Sequence, residues 1–279
     1  VADTTLSENY PSNNFGGMTF ANSGTTQNFT RNRALYKFDI AGSLPPNSKI
    51  SSAYLPLEVV KGPSDGYNFS DFGLYRALRP WGEGVGVTPV NSNSTGTGAP
   101  AGTNEATWFY RFAFTTNTWA APGGAPGVDY ISSPSALQTI YGTGNSPYQF
   151  GPGNQMTADV QNWMDHPQNN FGWILISSSE GTDFTARRFG ARENSTYAPY
   201  LVIDYLIAPK IDKIQRSGGA INLYFVARAG QSYVIEFTNN LALAAWQTLA
   251  TIDPLPSDTQ VVVIDAVQAP NRFYRLRTF

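Results

Sequence analysis

The chain contains no cysteine, which excludes a disulfide framework and any Cys-ligated zinc or iron–sulfur centre. His166 is its single histidine, so a His-based zinc site is excluded too. Nucleophilic catalysis loses its usual parts as well. A Ser triad would have to recruit that one imidazole, and no G-x-S-x-G occurs. Charge is also scarce: Asp, Glu, Lys and Arg make up 14% of 279 residues, against about a quarter in ordinary globular chains. Net charge is −2 and no basic patch stands out, which argues against a nucleic-acid partner. No apolar run approaches the roughly 18 residues of a membrane span. The chain opens on VADTTLSENY without an initiator Met. That start reads as a mature N-terminus after signal removal, hence a secreted or surface protein, or equally as a trimmed end.

What the chain does have is β grammar. Between Arg33 and Val59 (RALYKFDIAGSLPPNSKISSAYLPLEV), Leu35, Lys37 and Asp39 alternate with Tyr36, Phe38 and Ile40, the pattern of a half-buried strand. The SLPPNSK turn leads into a second strand, which Pro56 places at a sheet edge or a bulge. Further strands are expected over 4–8, 18–22, 73–81, the aromatic stretch from Thr107 to Gly124, 171–178 and a buried 200–207. Loops are expected over 61–73, 82–105 and 187–199, and irregular chain over 125–155. One helix is predicted over 157–168, with Val160, Trp163 and Met164 on one face, Thr157 as N-cap and Pro167 as stop.

Residues 208–213 (APKIDK) read as a linker. Beyond it, AINLYFVA, SYVIEFTNN, WQTLATI, QVVVIDA and RFYRLRTF suggest five strands of a compact immunoglobulin-like sandwich or barrel over 214–279. The fold class is therefore all-β, in two domains.

Residues 1–207 resemble the DNRLRE domain family. The resemblance is carried, in the family's order, by ADTTL and YPSNNFGG near the start, the 33–59 segment, RPWGEG at 79–84, TW at 107–108 and WAAPGG at 119–124. It continues in DVQNWMDHPQNNFGWILI at 159–176 and RRFGARENSTYAPYLVIDY at 187–205. It implies a jelly-roll-like β-sandwich of secreted, often multidomain proteins, part of a family classed with modules that bind alginate-like polysaccharides. One departure is Ala191, where the family favours Ser before Arg192 and Glu193. Residues 214–279 resemble a C-terminal β domain of large secreted proteins of environmental bacteria.

Candidate chemistry is sparse. Arg187, Arg188, Arg192 and Glu193 form the densest charge cluster. A guanidinium fork matches a carboxylate, so Arg187 and Arg188 are candidate contacts for an acidic sugar. Arg192 and Glu193 read rather as a structural ion pair. Trp81, Trp108 and Trp119 are either a stacking platform for sugar rings or core. Calcium is the one cofactor the residue types admit, with Asp3, Glu105 and Asp183 as candidate ligands beside loops. Asn28, Asn68, Asn93 and Asn194 open N-x-[ST] triplets, which chance also produces in such a chain.

No catalytic constellation emerges, so the chain is read as non-enzymatic. Two functions follow. One is a structural or adhesive subunit of an extracellular filament or matrix, which associates with its own copies through sheet edges or terminal strands. The other is a carbohydrate-binding module for an acidic, alginate-like polysaccharide. With no catalytic group for a targeting module to serve, the sequence leans to assembly.

Overall fold

The computed structural model describes residues 1–63, 68–88, 96–243, 245–266 and 271–278. The Asn93 triplet and part of the 82–105 loop therefore lie outside the described residues. The chain divides into two compact units, Val1–Leu206 and Ile207–Phe279.

The strands of the first unit are, in order, β1 Ala2–Ser7, β2 Asn13–Asn14, β3 Phe20–Thr25, β4 Arg31–Lys37, β5 Ser48–Leu57, β6 Val59–Lys61 and β7 Ser70–Arg76. They continue with β8 Ala99–Pro100, β9 Ala136–Ile140, β10 Tyr148–Phe150, β11 Trp173–Ser177, β12 Arg187–Gly190 and β13 Val202–Ile207, with helix α1 at Asn154–Asp165. A large antiparallel sheet runs β6-β12-β3-β4-β11-β7-β9, and β1 adds to β4. A smaller sheet runs β10-β5-β13, and β2 pairs β8 in a short ribbon. β4 and β5 do not pair with each other. The proline turn between them is a crossover from one sheet to the other.

Two cores explain why. The inner one joins Tyr36, Phe72, Leu74, Trp173, Leu175 and Phe189 of the large sheet to Leu55, Leu57 and Phe150 of the small one, and to Met156, Val160 and Trp163 of α1. This makes the unit an all-β sandwich with a helix at its flank. The outer core covers the opposite face of the large sheet, where Leu6, Leu35, Ile174 and Ile176 meet Trp81, Trp108, Trp119 and Tyr130 from the long segment between β7 and β9. β4 is consequently buried on both faces from Asn32 to Tyr36, not half-buried.

Other local expectations need correcting. The aromatic stretch 107–124 forms no strand, because Trp108 and Trp119 are used to cap the outer core. Residues 187–190, expected in a loop, form β12 between β3 and β6. β9 and β10 fall in the irregular 125–155 region. β13 is half-exposed rather than buried. β5 lies in the middle of its sheet despite Pro56, which stands opposite Gln149 in a three-residue pairing where one missing donor costs little. Helix α1 starts earlier than expected. Gly153, extended at φ −164°, is its N-cap, and the Thr157 N–H already donates to the Gly153 carbonyl.

The second unit holds β14 Lys213–Ser217, β15 Ala220–Ala227, β16 Tyr233–Thr238, β17 Gln247–Ile252, β18 Thr259–Asp265 and β19 Phe273–Thr278. β14, which begins at the last residue of the expected linker and lies before the first strand expected in this unit, makes six strands rather than five. They form two sheets, β14-β15-β18 and β17-β16-β19. Leu223, Phe225 and Val263 of one pack on Tyr233 and Ile235 of the other, so the unit is a small sandwich and not a closed barrel. A polar clamp ties the sheets. Buried Asp265 of β18 pairs with Arg272 at 2.7 Å and accepts the Tyr274 hydroxyl at 2.9 Å. Burial and that bond push the Tyr274 phenol up to about 12.

Candidate functional site

A polar cleft of about 370 Å³ opens on the large sheet of the first unit. Its floor follows from strand register. Arg188 of β12 stands opposite Lys61 of β6 on one side and Asn22 of β3 on the other. Directly opposed residues of antiparallel strands point to the same face. The register shifts between Arg188 and Phe189, and this irregularity in β6 lets Lys61 line the cleft in a row with Arg188 and Asn22, although Val59, two residues before it, enters the inner core with Phe189. Around this row stand Ser7, Asn9, Tyr10, Gln27, Asn28 and Asn32. Among the described lining residues there is no carboxylate and no imidazole.

Two cations directly opposite one another across a ladder repel. Arg188 also stacks on the Phe20 ring, with its guanidinium carbon 4.0 Å from the centroid. Burial pulls its pKa below the ordinary value. At the rim, Gly96 has φ +93°, and a Cβ there would come 2.5 Å from the Arg188 Nη2. The positive φ is what favours glycine here, since the arginine tip can shift from an added Cβ. The arrangement suits a ligand that brings anionic groups to the floor and hydroxyls to the amide walls.

Arg187, its neighbour, has another role. It is 1% exposed and directs its donors to backbone carbonyls. Nε and Nη2 reach the Tyr141 carbonyl at 3.0 and 2.6 Å, Nη2 also reaches that of Asn68 at 2.9 Å, and Nη1 reaches those of Ala186 and Phe184 at 3.0 and 3.2 Å. Arg187 is thus a buried clamp, not a sugar contact, because alternation along β12 turns it away from Arg188.

The tryptophan platform is likewise overturned. Trp81, Trp108 and Trp119 are all buried in the outer core. The Trp81 indole N–H donates to the Phe171 carbonyl at 2.8 Å, and that of Trp119 to Thr107 at 2.9 Å. Trp108 lies under Arg31 and Arg33, at 5.3 and 5.8 Å.

The proposed calcium ligands serve separate ends. Glu105 accepts the Val85 and Gly102 N–H groups at 3.1 and 2.8 Å. Asp183 sits in a turn whose carbonyl accepts the Asn68 amide at 3.0 Å. Asp3 is buried beside Glu83, Arg192 and Glu193. Its carboxylate accepts the Arg192 N–H at 2.8 Å, and its own N–H donates to Glu83 at 2.8 Å. Arg192 pairs with Glu193 at 2.5 Å and with Glu83 at 3.1 Å. Burial above all, with the Glu193 and Glu83 charges adding, pushes the Asp3 carboxyl up to about 7 against the pull of the Arg192 N–H. Among the described residues, no three of Asp, Glu, His or Cys are arranged to hold a metal ion. His166 is exposed at the C-cap of α1.

Sequence reading missed Lys61 and Asn22, which lie 127 and 166 positions from Arg188 and meet it only through register. It also missed Phe69 and Tyr141, an aromatic pair on the surface with ring centroids 5.5 Å apart. No protein-family model matches the chain, and no curated protein matches it.

Proposed function

We propose that this chain is a secreted, non-enzymatic adhesive protein whose first unit binds an acidic polysaccharide in the cleft floored by Lys61, Arg188 and Asn22. The observation that carries this reading is the row of Lys61, Arg188 and Asn22 in a cleft whose described walls are rich in side-chain amides and hydroxyls. A carboxylated or sulfated sugar matches the guanidinium and ammonium groups of this row, and the amides match its hydroxyls. The resemblance of residues 1–207 to the DNRLRE family supports the same ligand class. Lys61→Gln and Arg188→Gln should each weaken retention on polyuronate in affinity electrophoresis, and wild-type binding should fall with salt. Salt-independent binding to a neutral glucan, untouched by both substitutions, would reject the cleft.

A second reading, assembly of copies into a filament or matrix, is favoured by the second unit. β18 is an edge strand with no lysine or proline, the residues that usually guard an edge. On it, Val262 and Ile264 are 45% and 64% exposed, on the side of the sheet away from core residue Val263. Electron microscopy of the purified protein, with Val262→Lys and Ile264→Lys as controls, tests this.

A further inference from the structure

We infer that Ser7 and Asn32 form an uncharged hydroxyl-binding subsite of the cleft, so that the ligand is a uronate chain with free ring hydroxyls rather than a polymer recognised by its charge alone. This rests on the polysaccharide reading of the cleft. Both residues line the cleft, and they are only 3% and 5% exposed. They stand directly opposite each other in the β1–β4 ladder, so their side chains share a face. On its other side, Asn32 stands opposite Gly24 of β3. Two positions earlier on β3, Asn22 stands opposite Arg188. Register thus joins the pair to the cationic floor, and Gly24 puts no side chain between Asn22 and Asn32. Neither the Ser7 hydroxyl nor the Asn32 amide hydrogen-bonds a described residue. Asn14, the other buried asparagine among the described residues, differs. Its amide donates to the Glu83 and Ala106 carbonyls at 2.7 and 3.0 Å and accepts the Gly16 and Gly86 N–H groups at 2.9 and 2.8 Å. A buried amide left unmatched costs stability, so Ser7 and Asn32 are set out for a group that enters the cleft. An amide offers a donor and an acceptor together, and a serine hydroxyl serves as either. That matches the hydroxyls of a sugar ring and brings no charge to a sulfate or phosphate. Both residues sit on ladder strands, so little conformational entropy is lost on binding.

The test is isothermal titration of the full chain with a hexauronate, its O-acetylated form and a fully sulfated dextran oligomer, on wild type, Ser7→Ala, Asn32→Leu and Arg188→Gln. Removing a buried polar group that has no protein partner should leave the melting temperature unchanged or raise it. Ser7→Ala and Asn32→Leu should each weaken the hexauronate by about twofold to tenfold and leave the salt dependence alone, whereas Arg188→Gln should flatten it. Acetylation of the ring hydroxyls should weaken binding to wild type and cost Asn32→Leu little more; the wild-type arm needs no variant to fold. Hexauronate binding unchanged by Ser7→Ala, by Asn32→Leu and by acetylation, but lost with Arg188→Gln, would overturn the subsite and leave the cleft standing. A melting temperature that falls with each substitution, beside binding indifferent to acetylation, would give the pair a structural role and equally overturn the subsite. A sulfated dextran bound as tightly as the hexauronate would reject the hydroxyl-bearing ligand. Wild type that binds no uronate would overturn both the subsite and the cleft reading.

Discussion

At the scale of single residues, neighbours in the chain do unlike work. Arg187 and Arg188 look equivalent in sequence, yet β alternation buries one and turns the other to the cleft. Removing the Arg187 side chain strips charge-assisted donors from the carbonyls of Tyr141, Asn68, Phe184 and Ala186. Arg187→Ala should therefore cost about 3–5 kcal/mol in urea unfolding, while Arg188→Gln should change stability little. Equal effects would mean that the clamp is not formed. Asp3 supports a pH prediction. Its folded pKa of about 7 lies above the roughly 3.9 of an unfolded Asp. Between those values the folded chain keeps a proton that the unfolded chain has lost. Stability should thus fall as pH rises from about 4 to 7, by a few kcal/mol at most, and stay low above that. Asp3→Asn keeps an acceptor for the Arg192 N–H and removes the charge facing Glu83 and Glu193. It should flatten the dependence and raise the melting temperature at pH 8; a lower one would show that the carboxylate is stabilised as an anion. The local charge cluster of residues 187–193 placed Arg188 among the candidates. Its partners Lys61 and Asn22 were not legible, because register joins residues that the chain keeps far apart.

Among the elements, the sequence spoke most clearly where one face is buried by one partner. The period-3.6 face of α1 and the continuous apolar run of β11 were both readable for that reason. It misled where a segment serves as packing without a ladder. The aromatic alternation at 107–114 imitates a strand, but Trp108 and Trp119 close the outer core from irregular chain, and Phe109 and Phe114 are left exposed. Boundaries set by glycine were also hidden. At the start of α1 Gly153 caps with no side-chain hydrogen bond, and its position leaves open space for a Cβ. Because its φ of −164° is ordinary extended backbone, Gly153→Ser adds an acceptor for a first-turn N–H without strain. A gain of a few tenths of a kcal/mol is expected in thermal unfolding. A loss would place the functional cap elsewhere.

For the whole molecule, the two units have separate cores, and only the larger carries the cleft. The smaller spans residues 207–279, a size at which a single core is marginal. Its core of Leu223, Phe225, Tyr233, Ile235 and Val263 is supplemented by the Asp265–Arg272–Tyr274 clamp between sheets. An excised fragment of residues 207–279 should therefore give a β-type circular dichroism spectrum and a cooperative melt. The same fragment decides where assembly resides. In it, β14 carries Lys213 and Arg216, which blunt one sheet edge, whereas β18 has only its clamped Asp265. A contact between such unlike edges is heterologous, and one that does not close propagates as a fibre. If β18 drives association, the fragment should sediment as higher species in proportion to its concentration. Val262→Lys or Ile264→Lys should return it to a monomer, and residues 1–206 alone should stay monomeric while retaining the polyuronate. A monomeric fragment at high concentration, beside an intact chain that still assembles, would move the contact to the first unit, where β6 and β9 end the large sheet. A monomeric intact chain would remove assembly altogether and leave the cleft as the functional surface.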